Sequence, residues 1–152
     1  MRAYLSGVKV RIARAVPGRS AVPLVAITLA KGKPSAYVRA IADGVHEALV
    51  ESFRVPPDDR FQVIRQVGRD ELIYDPGYLG VRRTDDVVFI HITASRWRDT
   101  AMKRELYRNI AHKLARSPGL RREDVIIVLA PNDKDDWSFG LGEASYVQEN
   151  AA

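Results

Sequence analysis

The run from Leu24 to Leu29 is almost wholly apolar and lacks a helical period, which predicts a buried strand. Lys31, Gly32, Lys33 and Pro34 then turn the chain, and Ser35 is placed to cap a helix. Val38, Ile41, Val45, Leu49 and Phe53 recur at helical spacing and define one apolar face. The prolines of VPPDD stop that helix, because proline cannot continue it. Phe61, Val63 and Ile64 begin a second strand. The same order then returns. Val87 to Thr93 reads as a strand, Leu106, Ile110 and Leu114 mark a helix over 100–116, and Ser117, Pro118 and Gly119 end it. Val125 to Ala130 is the fourth strand.

The chain therefore contains two strand–helix–strand units, with strand starts 36 residues apart in the first and 38 in the second. Such a unit pairs its strands in parallel through a right-handed crossover. The predicted fold class is α/β, an α+β sandwich whose two β-α-β units form a four-stranded mixed sheet with both helices on one face. Val87 to Ile90 and Val125 to Val128 are apolar at every position, which implies a sheet covered on both sides. Two helices cover only one face, so a homo-oligomer is expected. The connecting segment GRDELIYDPGYLGVRRTDD is read as a loop with a short strand at Leu72–Tyr74. Near the other end, glycines beside Trp137 and Phe139 predict a tight structure that sets these aromatics by a pocket or a subunit seam.

Composition adds limits. The 152 residues suit one domain, and 46% hydrophobic with 28% charged residues is ordinary for a globular chain. No apolar run reaches the roughly 18 residues of a membrane span, so no membrane partner is expected. The absence of cysteine excludes disulfides, thiolate metal sites and cysteine nucleophiles. His46, His91 and His112 are widely separated, so no metal site is expected. The net charge of +5 suggests nucleic acid, but residues 1–22 hold five basic residues and no acidic one. Residues 23–152 are then neutral, with 19 of each sign, and nucleic acid is not an expected partner. The leader, residues 1–22, has three readings: a processed targeting segment, an additional strand or arm, or translation from a start upstream of Val22. The last is preferred. Residues 23–152 form the domain, and the expected location is the cytoplasm.

Few groups suggest chemistry by themselves. Arg96 and Arg98 follow the third strand, and in extended chain residues two apart point the same way. Two planar guanidiniums at a strand end make a carboxylate clamp, although from spacing alone a solvated loop is the favoured reading. Asp58 and Asp59 fit turn chemistry. Arg82, Arg83, Asp85 and Asp86 read as an exposed charged turn, and His91 as a hydrogen-bonded core histidine.

Five stretches change this balance: PLVAITLAKG, VPPDDRFQV, DPGYLG, SRWR and DWSFG. In this order and spacing, from Pro23 to Tyr146, the chain resembles the malonate semialdehyde decarboxylase group of the tautomerase superfamily. The resemblance implies a small β-α-β fold, usually a homotrimer, that works without metal or organic cofactor. It implies that Pro23 is the catalytic amino-terminal proline, Asp59 the active-site aspartate, and Arg96 and Arg98 the decarboxylase arginines. Trp137 and Phe139 would line the pocket for a small carboxylate substrate, an oxo acid. Three activities follow as expectations: decarboxylation of malonate semialdehyde or a related 3-oxo acid, keto–enol tautomerisation or hydration of a 2-oxo acid, or a non-catalytic trimeric module. The third follows if Pro23 stays internal, because an amide nitrogen is neither base nor acid.

Overall fold

The computed structural model describes residues 22–147. The leader, except Val22, and residues 148–152 lie outside them. The strands are β1 (Leu24–Ala30), β2 (Phe61–Val67), β3 (Val88–Ser95) and β4 (Val125–Asn132). The helices are α1 (Ser35–Phe53) and α2 (Thr100–Arg116). The strand order is β2-β1-β3-β4. β1 pairs in parallel with β2, and β3 with β4, while β1 meets β3 antiparallel. The sheet is therefore mixed, as the two repeated units predict.

Both helices bury their apolar faces on one side of the sheet. Val38, Ile41, Val45, Leu49 and Phe53 of α1 and Leu106, Ile110 and Leu114 of α2 join Val25, Ile27, Leu29, Val88, Ile90 and Ile92 in one core. The helices touch closely at Gly44, where a Cβ would lie 2.9 Å from Leu114 Cδ2. Only a residue without a side chain fits there unless Leu114 moves. Asp99 caps α2 by accepting from the Met102 amide at 2.9 Å. Ser35 does not cap α1. It is the first helical residue, Pro34 stands before it, and no side chain caps that end. Proline's fixed φ enters a helix without needing an amide partner.

The opposite face is uncovered. Because strand side chains alternate, the register lays three rows across it. These are Phe61–Leu24–Thr93–Ala130, Val63–Ala26–His91–Val128 and Arg65–Thr28–Phe89–Ile126. Leu24, Phe61, Val63 and Val128 are all at least 40% exposed here. His91 is thus not a core histidine. Its odd-numbered place beside Phe89 and Thr93 turns it to this open face between Ala26 and Val128, where it is exposed.

Residues 72–74 form no strand. Their bonds go into the loop instead: the Tyr74 hydroxyl donates to the Thr84 carbonyl at 2.8 Å. The base of this loop is tied to the start of β4. Asp124 is fully buried and accepts from both the amide and the hydroxyl of Thr84, each at 2.6 Å. Asp85 pairs with Arg69 at 2.9 Å and Asp86 with Lys33 at 2.8 Å, as a charged turn predicts. Asp124 itself has no sequence signal beyond standing before an apolar strand. Replacing it with alanine strands two donors on Thr84, so Asp124→Ala is expected to cost about 2 kcal/mol in denaturant unfolding. An unchanged midpoint would show that the Thr84 anchor contributes nothing.

Candidate active site

The antiparallel join of β1 to β3 collects four chain segments at one end of the sheet. The first residue of β1, Leu24, lies opposite Phe61 of β2 and Thr93 of β3. Ser95 of β3 lies opposite Asn132 of β4. Pro23 precedes Leu24, Asp59 lies two residues before Phe61, Arg96 follows Ser95, and Trp137 follows β4. Residues far apart in sequence thus share one edge.

Pro23 is buried at the head of β1. The Val22 amide before it donates to the Tyr146 hydroxyl at 3.1 Å. Tyr146 meets Phe139 edge-on at 5.5 Å, and Phe139 stacks on Trp137 at 5.2 Å with an interplanar angle of 4°. Phe61 closes the group 5.4 Å from Phe139. The Phe139 amide donates to Ser145 Oγ at 2.8 Å, and the Ser145 amide to the Trp137 carbonyl at 3.1 Å. These bonds hold the returning loop against the strand. The sequence pointed to Trp137 and Phe139 but not to Phe61 or Tyr146, whose membership depends on register and chain return.

Asp59 is half-buried in the turn before β2, its amide donating to the Pro56 carbonyl at 2.9 Å. Its neighbour fixes its place. Arg60 pairs with Asp43 of α1 at 2.7 Å and donates to Gln62 at 2.8 Å, and Gln62 donates to the Ala42 carbonyl at 2.8 Å. The head of β2 is thereby clamped to α1.

The two arginines do not converge as an extended chain would make them. Residues 96 and 97 form a turn. Arg96 is exposed and bonds Asp133 through Nε at 3.2 Å and Nη2 at 3.4 Å. Arg98 is buried, 4.5 Å from the Phe53 ring and 4.7 Å from the Trp97 ring, and donates to the Ser95 carbonyl at 3.2 Å. Burial lowers its pKa to about 10, so it stays cationic at neutral pH. Both still line one small cleft with Phe53, Ser95, Lys103 and Pro131. A larger concavity runs along the outside of α2, lined by Tyr107, Arg108, His112 and Arg122. None of the residues expected at the active site lines it. Among the described residues, no helix is long and apolar enough to cross a membrane.

The β-α-β repeat with Pro23 heading its first strand fits the resemblance to the tautomerase superfamily, and comparison with known proteins agrees. Two models of tautomerase enzymes match residues 23–82 and residues 59–140. The chain belongs to the tautomerase family. It is 42% identical over 127 residues to the probable tautomerase YusQ of Bacillus subtilis (strain 168), covering 84% of this chain and 100% of that one. It is 33% identical to the probable tautomerase YrdN of the same organism over 126 residues, 83% of this chain and 97% of the relative. Among solved structures, FG41 malonate semialdehyde decarboxylase inhibited by 3-bromopropiolate superposes with a TM-score of 0.76 at 36% identity. That match covers 81% of this chain and 93% of the other. A fused 4-OT protein solved as a symmetric trimer shares the fold at 19% identity and a TM-score of 0.66, over 80% of this chain and 95% of the other.

The different settings of the arginines predict different mutational costs. Arg96→Ala removes an exposed pair, with side chains 60% and 58% exposed, and is expected to cost less than about 1 kcal/mol. Arg98→Ala empties a buried site between two rings and is expected to cost about 2 kcal/mol. Thermal unfolding of both variants checks this ranking, and equal losses would refute it.

Proposed function

We propose that this protein is a cofactor-independent decarboxylase of malonate semialdehyde or a related 3-oxo acid, working through Pro23 as its mature amino terminus. One observation carries the reading. Pro23, Asp59 and Arg96 flank strand ends at the same end of the sheet, where Pro23 adjoins an aromatic cluster, in a chain 36% identical to a malonate semialdehyde decarboxylase. The family model begins its match at residue 23. A second solved decarboxylase, 33% identical, was also studied with the proline at its first position changed to alanine.

The chemistry follows from charge flow. When the carboxylate leaves as carbon dioxide, the bonding pair must move into the neighbouring carbonyl. A free prolyl nitrogen titrates near neutrality, at about 7.7–8.0 unperturbed. As a cation Pro23 polarises that carbonyl by hydrogen bonding; as the neutral amine it attacks the carbonyl carbon instead, and the carbinolamine takes up a proton and loses water to give an iminium. The enol or enamine left behind takes up a proton to give the shortened aldehyde, with water returning in the enamine case. Arg96 exchanges Asp133 for the substrate carboxylate and orients the breaking bond out of the carbonyl plane. Asp59 positions the substrate or a water. Trp137 and Phe139 exclude solvent, which strengthens the electrostatic terms. Arg98 supplies fixed positive charge at the cleft wall.

A second reading is tautomerisation or hydration of a 2-oxo acid. The setting of Arg98 against Phe53 favours it, since one mobile arginine suffices when no carbon dioxide leaves, and both curated relatives are named probable tautomerases. In either reading the working form is a homotrimer whose copies cover the open sheet face. If Pro23 stays internal, its nitrogen is an amide and the assembly is non-catalytic.

The test uses chains beginning at Pro23 and at Met1, each given malonate semialdehyde and phenylpyruvate enol. The Pro23 chain is expected to release carbon dioxide, and the Met1 chain to be inert. Activity that falls as pH rises through the prolyl pKa marks the cationic role. Arg96→Ala is expected to lower kcat/KM on the 3-oxo acid by about 10²-fold or more. Brisk ketonisation without carbon dioxide release would replace the decarboxylase reading with the tautomerase one.

A further inference from the structure

The concavity on the outside of α2 takes no part in the site just described. It measures about 620 Å³ and is lined by Tyr107, Arg108, Ala111, His112 and Arg122, with Glu105 its one carboxylate. A second cleft of about 200 Å³ shares Tyr107 and Ala111 with it and adds Val125 and Ile127 of β4. The two clefts therefore adjoin and form one groove, from the outer face of α2 to the edge strand of the sheet. Its size is that of a small-molecule site. Arg122 precedes β4 and Val125 begins it, at the sheet end opposite Pro23.

One part of the groove is cationic. α2 carries Lys103, Arg104, Arg108, Lys113 and Arg116 against Glu105 alone. Lys113 is taken up by Glu47 and Glu51 of α1, at 3.4 and 2.8 Å. Arg108 and Arg122 have no carboxylate partner among the described residues. Arg122 Nη2 instead reaches the ring nitrogen Nδ1 of His112 at 3.4 Å. His112 stands one turn after Arg108, so the three share one side of the helix. A guanidinium has five N–H donors, and one long bond to a ring nitrogen leaves most of them for a ligand. Glu105 makes no ion pair among the described residues, and its single charge leaves the two arginines in excess.

The other part is apolar. Val125 and Ile127 pack on the core from the helix side but stay half-exposed, because β4 is an edge strand. The Tyr107 side chain is 36% exposed beside them. Ala111 is common to both parts and is too small to divide them. A groove split in this way selects a ligand with the same division, an anion joined to an apolar body. The groove opens on the helix side, away from the sheet face that the proposed assembly covers.

We infer that this groove binds a small amphiphilic carboxylate. Arg108 and Arg122 hold the carboxylate, and the apolar body lies over Ala111 against Tyr107, Val125 and Ile127. On binding, Arg122 exchanges a neutral ring nitrogen for a charged acceptor, and charge-assisted bonds are the stronger kind. The site needs neither a free prolyl nitrogen nor the proposed reaction.

The test is a methyl NMR titration of the full chain that follows Val125 and Ile127. The probes are 4-phenylbutyrate, its neutral amide and inorganic phosphate, each also given to Arg108→Ala, Arg122→Ala and Tyr107→Ala. Phenylbutyrate is expected to shift both methyl sets with a dissociation constant on the order of 1 mM or tighter. The amide and phosphate each lack half of the match and should bind about tenfold more weakly. Each arginine variant should weaken phenylbutyrate about tenfold and leave the amide unchanged, whereas Tyr107→Ala weakens both. All three side chains are exposed, so thermal midpoints should stay at the wild-type value. Phenylbutyrate that binds every variant equally, or without moving Val125 and Ile127, sits elsewhere and overturns the inference. Phosphate that binds as tightly as phenylbutyrate, or a wild type that binds none of the probes, overturns it as well.

Discussion

The antiparallel contact between β1 and β3 governs the rest of the molecule. Each β-α-β unit is parallel inside, so both of its strands start at one end of the sheet and finish at the other. Joining the units through antiparallel central strands brings the heads of β1 and β2 beside the tails of β3 and β4. Only this arrangement places Pro23 and Asp59, which precede strands, at the same sheet end as Arg96 and Trp137, which follow them. A parallel join would have sent the two pairs to opposite ends of the sheet.

The same pairing gives the sheet two unequal ends. At the Pro23 end, aromatic rings pack together on a returning loop, and Arg60 and Gln62 brace the head of β2 on α1. At the far end, a hydrogen-bonded loop carries exposed apolar side chains. A loop fixed by a buried carboxylate presents its side chains without first paying the entropy of ordering them.

The arginines show how burial divides one motif into two roles. Exposed Arg96 makes a modest, screened pair with Asp133 and can exchange that carboxylate for another. Arg98, two residues on, is taken up between Phe53 and Trp97, where desolvation rather than a neighbouring charge lowers its pKa. Its charge is a fixed background for the cleft.

The amino-acid order by itself determined the elements: four apolar strands, two amphipathic helices, their sequence along the chain and an uncovered sheet face. Side-chain periodicity is a local property, and each of these follows from it. The family resemblance was also legible, because VPPDDR and DWSFG are contiguous motifs. Tertiary structure alone decided what depends on pairing and chain return. Register turned His91 outward and set Phe61 against Phe139. A turn at 96–97 parted Arg96 from Arg98, where extended chain would have aligned them. Asp133, Asp124 and Tyr146 gained their partners only when residues 37, 40 and 124 positions away came beside them. No local pattern encodes such distances, since they are set by which strands pair and in which direction.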